Sequence, residues 1–191
     1  MPPLGKLLET VKCLDGSVFH LEYHQKRVNA SRRSLGYTTG LELQLSPPRT
    51  GLYRCRIIYA KEIEKIEYIP YRIKEIHTFK LLHSDISYEL KYENREQIEA
   101  LLKKKENADD IIIVKEGLIT DTSIANLCFF DGKEWLTPKK PLLKGTTRQR
   151  LIDTKKIKTA DIHYKDIDNY SKIALMNAMI DFYIIEDAII T

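Results

Sequence analysis

ADDIIIVKEGLITDTSIANLCFF, residues 108–130, compresses three extended runs and two tight connections into one short stretch. Asp110 to Lys115 is a continuous β-branched run, Glu116-Gly117 is a tight turn, Leu118 to Thr120 is a short strand, and Asn126 to Phe130 is another. Short apolar runs bounded by turn residues read as strands rather than helix. Between the last two strands, TDTSIAN gathers Asp121, Thr122, Ser123 and Asn126, a carboxylate, two hydroxyls and an amide. By itself this reads as an Asx or Ser/Thr turn between two strands.

Downstream, Asp131-Gly132 signals a hairpin, Glu134 to Thr137 returns as a strand, and Pro138 ends it. LLKGTTR then sets Gly145 before Thr146, Thr147 and Arg148, and Thr146 to Ile152 predicts a short helix whose first turn is open to an anion. The same string is also an ordinary helix start. The tail predicts a strand at Ile162 to Tyr164, a short helix at Lys165 to Tyr170, and strands at Ile173 to Met179 and Phe182 to Ile190.

Upstream, Asn94 to Lys105 is helical, with Ile98, Leu101 and Leu102 on one stripe. Ahead of it stands Lys91 in KYENR. In the first third, Leu7 to Cys13 and Val18 to Leu21 are extended around an Asp15-Gly16 turn. Glu22 to Leu35 is helical and closed by Gly36, and SPPRTG at 46–51 breaks the chain. Tyr53, Cys55, Ile57 and Tyr59 alternate with Arg54, Arg56 and Ile58, a strand with an apolar face and two cations opposite. Extended segments follow at Lys65 to Ile73 and Glu75 to Leu81. The fold class is α+β, with a smaller N-terminal α/β domain over 1–86 and a larger one over 87–191.

The chain has 191 residues, and its 31 basic and 27 acidic residues are interleaved, leaving a net charge of +4 without a basic tract. That distribution argues against a nucleic-acid partner. Lys103 to Lys105 lies late in a helix and reads as a solvated face. No apolar run reaches the roughly 20 residues that cross a bilayer, and MPPLGKLLE lacks the features of a signal peptide, so the expected place is the cytoplasm, with no membrane partner. Cys13, Cys55 and Cys128 are odd in number and far apart, which suits small buried hydrophobes rather than a disulfide framework.

Three features in the second half suggest one chemistry. Lys91 supplies an amine that can condense with an aldehyde, Asp121 a carboxylate that can pair with a ring nitrogen, and Gly145 to Arg148 a turn that can hold a phosphate. Those are the needs of a pyridoxal phosphate site. Taken alone, Lys91 reads as one surface lysine among many. His20 and His24 share a helical spacing that raises a metal site, but no glutamate or cysteine completes it, and no metal is expected. Arg54 and Arg56 could meet a substrate carboxylate, or could line a solvated edge strand.

The stretch from Lys91 to about Arg150 resembles the class IV aminotransferase family, the fold-type IV pyridoxal phosphate enzymes. These include branched-chain and D-amino-acid aminotransferases and aminodeoxychorismate lyase. The likeness rests on the KxxNR-type motif at Lys91, ADDIIIVKEGLITD, SIANLCFF, WLTP and LLKGTTR. It recurs near the N-terminus, where LLETVKC followed by FHLEYHQKRVNASRRSLG is similar to the family's HxxR helix.

The resemblance implies two small domains with the cofactor at their junction, and a homodimer. It implies that Lys91 binds the cofactor, that Asp121 stands where the family usually has a glutamate facing the pyridine nitrogen, and that Arg27 contacts the phosphate. Thr146 and Thr147 would supply donors to that phosphate, with Thr122, Ser123 and Gly145 completing the set. Taken without the resemblance, Arg27 reads as a helix-surface ion pair with Glu22 or Glu42. Asp121 is one methylene shorter than glutamate, and the chain is shorter than typical members. The implied activity on a small amino substrate is amino-acid transamination. Alternatives are aminodeoxychorismate lyase chemistry, toward which Asn94 and Arg95 lean, and a relative that has lost catalysis and serves as a vitamin-binding or interaction protein.

Overall fold

A computed structural model describes residues 5–191, so the first four residues of MPPLGKLLE lie outside the described residues. The chain is of mixed α+β class and divides into two compact units. The first holds the described residues up to Ile73 together with Leu90–Asn94, and the second holds Lys74–Glu89 and Arg95–Thr191. The division differs from a single cut after residue 86, because 90–94 returns to the first unit and takes Lys91 with it.

In the first unit, β1 (Leu7–Leu14) turns through Asp15 and Gly16 into β2 (Ser17–Val18). Both turn residues have positive φ, 47° and 79°, the geometry of a two-residue hairpin that suits strand twist. α1 (Leu21–Ser34) follows, then β3 (Leu52–Tyr59) and β4 (Ile63–Pro70), giving an antiparallel sheet in the order β2-β1-β3-β4. Register sets Leu7 opposite Tyr59, Val11 opposite Cys55 and Cys13 opposite Tyr53, and these side chains enclose a core with Val28 of α1 and Leu43.

The helix ends as its glycine predicts. Gly36 has φ 85°, its N–H donates to the Arg33 carbonyl, and the Tyr37 N–H donates to the Arg32 carbonyl, both at 3.0 Å. That is a Schellman cap. Gln25 then fastens the following loop to the helix, donating to the Leu41 carbonyl at 2.6 Å and accepting from the Leu43 N–H at 2.8 Å.

The second unit contains β5 (Thr78–His83), α2 (Glu96–Leu102), β6 (Asp110–Lys115), β7 (Leu118–Thr122), β8 (Asn126–Phe130) and β9 (Trp135–Pro138). It continues with α3 (Thr146–Asp153), β10 (Lys158–Ala160), β11 (Lys172–Asn177), β12 (Asp181–Ile185) and β13 (Ile189–Ile190). Its sheet runs β10-β9-β8-β7-β6-β5-β13, with β11 joining β8 to β12.

Several elements differ from the sequence pattern for local reasons. α2 begins two residues later than predicted because Glu93 is tied by its backbone to Lys6 and Arg95 has a non-helical φ of −124°. The extended run at 182–190 is cut by Asp187, whose φ of 54° separates β12 from β13. The strand expected at 162–164 is reduced to one bridge between Leu118 and His163.

The central strand β8 explains how the second unit positions its polar groups. Alternate side chains face opposite sides. Leu127 and Phe129 pack with Ile112, Ile119, Ile173 and Leu175, while Cys128 packs with Leu151 of α3, Ala174 and Met176. Asn126 shares the α3-facing side with Cys128.

No described helix is long and apolar enough to cross a membrane. The fold predicts that Phe129→Ala, which empties a fully buried site on β8, costs about 3–5 kcal/mol of stability in urea unfolding. A cost under about 1 kcal/mol would contradict the assignment of β8 as the central strand of this core.

Candidate active site

The second unit brings Asp121, Asn126 and the start of α3 together. Asp121, on β7, is 5% exposed. Its Oδ1 accepts the Asn126 side-chain amide at 2.7 Å and its Oδ2 accepts the Leu143 N–H at 2.8 Å. Burial pushes this carboxyl up to about 7. The Leu143 N–H, the Asn126 amide and the positive charge of Arg148 offset that burial only in part. A carboxylate held in such surroundings favours a cation or a proton donor as its next neighbour.

α3 starts immediately beyond. Gly145 is its extended N-cap and supplies no side chain to the first-turn amides, and Thr146 and Thr147 are both buried. Gly145 is required here for a steric reason, since a Cβ at that position would lie 2.0 Å from Asn126 Oδ1. Arg148 is buried beside them and donates to the Pro138 carbonyl at 2.8 Å. A helix N-terminus lined by hydroxyls and free of a capping side chain is suited to a phosphate.

The other two expected ligands of this unit behave differently. The Thr122 hydroxyl is engaged in shaping its own turn, accepting from the Ile124 and Ala125 N–H groups at 3.2 and 3.0 Å. Ser123 is buried, and its carbonyl accepts the Arg95 guanidinium.

Arg27 and Lys91 lie in the first unit. Arg27 finds its carboxylate on β1. It forks onto Glu9, with Nε at 2.7 Å from Oε1 and Nη2 at 2.6 Å from Oε2, and His24 Nδ1 meets Oε2 at 2.7 Å. Glu9 is fully buried, which by itself would raise its pKa; the charge and hydrogen bonds of Arg27, with those of His24, outweigh burial and hold it at about 2. The signal for this network was in the sequence: Glu9 shares one face of its strand with Leu7, Val11 and Cys13, a core-facing side where an unpaired charge is not tolerated.

Lys91 is fixed through its backbone. Its carbonyl accepts the Leu8 N–H at 2.8 Å and the Glu93 N–H donates to the Lys6 carbonyl at 2.8 Å, so KYENR is stitched along the start of β1.

Arg54 and Arg56 share one face of β3 but not one environment. Arg56 is bound by Glu67 at 3.0 Å and Glu93 at 2.8 Å. In the next row Lys12 stands directly opposite Arg54, and no carboxylate among the described residues pairs with Arg54, whose buried Nε has no acceptor. Like charges opposed across strands repel, so this row favours an anion.

The Glu9 network makes a definite acid-stability statement. The native pKa lies below the ordinary 4.5, so its contribution is present above that pH and is lost as pH falls toward 2. The shift corresponds to about 3 kcal/mol. In urea melts from pH 7 to 2, Glu9→Gln should be destabilised at neutral pH and should show a shallower acid limb than the parent. Parallel acid limbs would contradict the network.

Comparison with known proteins places the chain in a family. A crystal structure from Haemophilus somnus, provisionally described as a 4-amino-4-deoxychorismate lyase, is 36% identical with a TM-score of 0.82, covering 92% of this chain and 96% of that one. A Schizosaccharomyces pombe protein provisionally named aminodeoxychorismate lyase is 27% identical, covering 91% of this chain and 86% of its own. A pyridoxal phosphate-bound structure of a hypothetical aminotransferase from Mycobacterium tuberculosis is 18% identical and shares the fold, with a TM-score of 0.78 over 97% of this chain and 81% of that one. The family model of amino-transferase class IV matches residues 57–187. The chain therefore belongs to the amino-transferase class IV family, pyridoxal phosphate-dependent enzymes of aminotransferase or lyase type.

Proposed function

We propose that this chain uses pyridoxal phosphate to act on a small amino compound. The observation that carries the reading is the pairing, within one unit, of a buried Asp121 carboxyl with a pKa near 7 and the uncapped, hydroxyl-lined N-terminus of α3. A pyridine nitrogen and a phosphate need those two environments, and the residues present fit them. When bound, the cofactor supplies an aldehyde for attachment to a lysine and an electron sink that stabilises negative charge beside the substrate nitrogen.

Each residue then has a task that its own chemistry allows. Asp121, kept in place by Asn126 and the Leu143 N–H, favours a protonated ring nitrogen. Thr146 and Thr147 offer first-turn N–H groups and hydroxyls to the phosphate, with Gly145 leaving room for close approach. Arg27, with its fork held by Glu9, keeps the role toward the phosphate that the family resemblance implies. Lys91 holds the cofactor and carries a proton to and from the substrate α-carbon. Arg54, uncompensated beside Lys12, favours a substrate carboxylate.

The similarity at 36% identity over nearly the whole of both chains supports lyase chemistry on 4-amino-4-deoxychorismate, giving pyruvate and 4-aminobenzoate. Asn94 and Arg95 of KYENR support the same reading. Amino-acid transamination is the second reading, supported by the family description. A homodimer belongs to the same proposal and is checked by sedimentation equilibrium.

Reconstitution with pyridoxal phosphate followed by borohydride reduction should place the adduct on Lys91 by peptide mass spectrometry. Lys91→Ala should lower turnover by about a thousandfold, the scale of a lost acid–base group. Aminobenzoate and pyruvate formation without amino exchange would support the lyase, and exchange between amino acids and 2-oxo acids would support the transaminase. An adduct on another lysine, or none, would overturn the proposal.

A further inference from the structure

Asn126 touches both ends of the proposed cofactor seat. Its Nδ2 donates one hydrogen to Asp121 Oδ1 at 2.7 Å and the other to the Leu143 carbonyl at 2.8 Å. The Leu143 N–H returns to Asp121 Oδ2 at 2.8 Å, closing a ring of carboxylate, amide and peptide. On its opposite side, Asn126 Oδ1 occupies the space that a Cβ on residue 145 would need, 2.0 Å away. The next residue, Thr146, opens α3.

We propose that Asn126 is a positioning residue whose amide acts as a strut, setting the separation between the Asp121 carboxylate and the Gly145 to Thr147 turn. This rests on the cofactor reading given above. The physical need is clear from the chain between these groups: residues 139–145 form no helix or strand, so nothing regular in the backbone holds the α3 start against β7. Asn126 lies on β8, which pairs with β7 at Asp121↔Asn126 and is anchored on both faces by the core. Its amide transfers that rigidity to the turn. A ligand with a ring and a phosphate gains over its separate halves only when both subsites keep the right spacing.

The strut has a signature that a merely stabilising residue lacks. Three probes separate the halves from the whole: inorganic phosphate, 3-hydroxypyridine, and pyridoxine 5′-phosphate, which joins ring and phosphate but has no aldehyde to react with lysine. Their affinities are measured by ligand-detected NMR on the full chain freed of cofactor, for the parent and for Asn126→Leu, which keeps the branched side-chain shape, adds no charge and loses both donors.

Both fragments should bind the variant within about twofold of the parent, while pyridoxine 5′-phosphate should lose about tenfold or more. Asn126→Ala should give the same pattern. An equal loss of all three probes would make Asn126 a general structural residue and overturn the strut, as would an unchanged affinity for pyridoxine 5′-phosphate. If the parent bound pyridoxine 5′-phosphate no more tightly than phosphate alone, the cofactor reading itself would fall.

Discussion

Burial of the Asp121 carboxyl is the constraint around which the second unit is arranged. A carboxylate at this depth costs free energy unless its oxygens are met by donors. β8 provides one through Asn126, and the segment leading to α3 provides another through the Leu143 N–H. Arg148 adds a buried positive charge that favours the ionised form. These partners do not cancel the penalty. The native carboxyl titrates near 7 against an ordinary value of 3.8, so stability declines as pH rises between those values, by about 4 kcal/mol in all. A cation placed against Asp121 would recover part of that free energy, which is the physical basis of the proposal that it faces a protonated ring.

Glu9 solves the opposite problem in the first unit. It is also fully buried, yet an arginine fork and an imidazole surround it so completely that its pKa falls rather than rises. The two carboxylates show how environment divides roles. Glu9 is charged at neutral pH and fastens α1 to β1, orienting Arg27, whereas Asp121 is left short of positive charge. In the proposed role Asp121 is one methylene shorter than the glutamate the resemblance implies there, and it is held at both oxygens.

Much of this was legible in the residues. The Ile and Val run at 111–114, the Glu116-Gly117 turn and the strand Asn126–Phe130 stand where the periodicity indicates, because local turn chemistry and two-residue alternation determine them. Gly36 closes α1 for the same local reason. Features set by distant contacts were not legible. The partner of Arg27 is eighteen residues away on another strand, and choosing Glu9 over Glu22 or Glu42 requires knowing which face of β1 meets the helix. The return of 90–94 to the first unit depends on backbone pairing with Lys6 and Leu8, which no side-chain pattern encodes. The role of Asn126 was hidden because its partners, Asp121 and Leu143, converge only after β7, β8 and the α3 approach have folded.

The most direct measurement is a ¹³C NMR titration of the Asp121 side-chain carboxyl, with and without pyridoxal phosphate. The cofactor-free protein should show a midpoint near 7, and the cofactor should move it well below that value, because a protonated ring nitrogen stabilises the ionised form. A midpoint near the ordinary aspartate value of 3.8 in the free protein, or one that the cofactor leaves unmoved, would contradict Asp121 as the ring-side anchor.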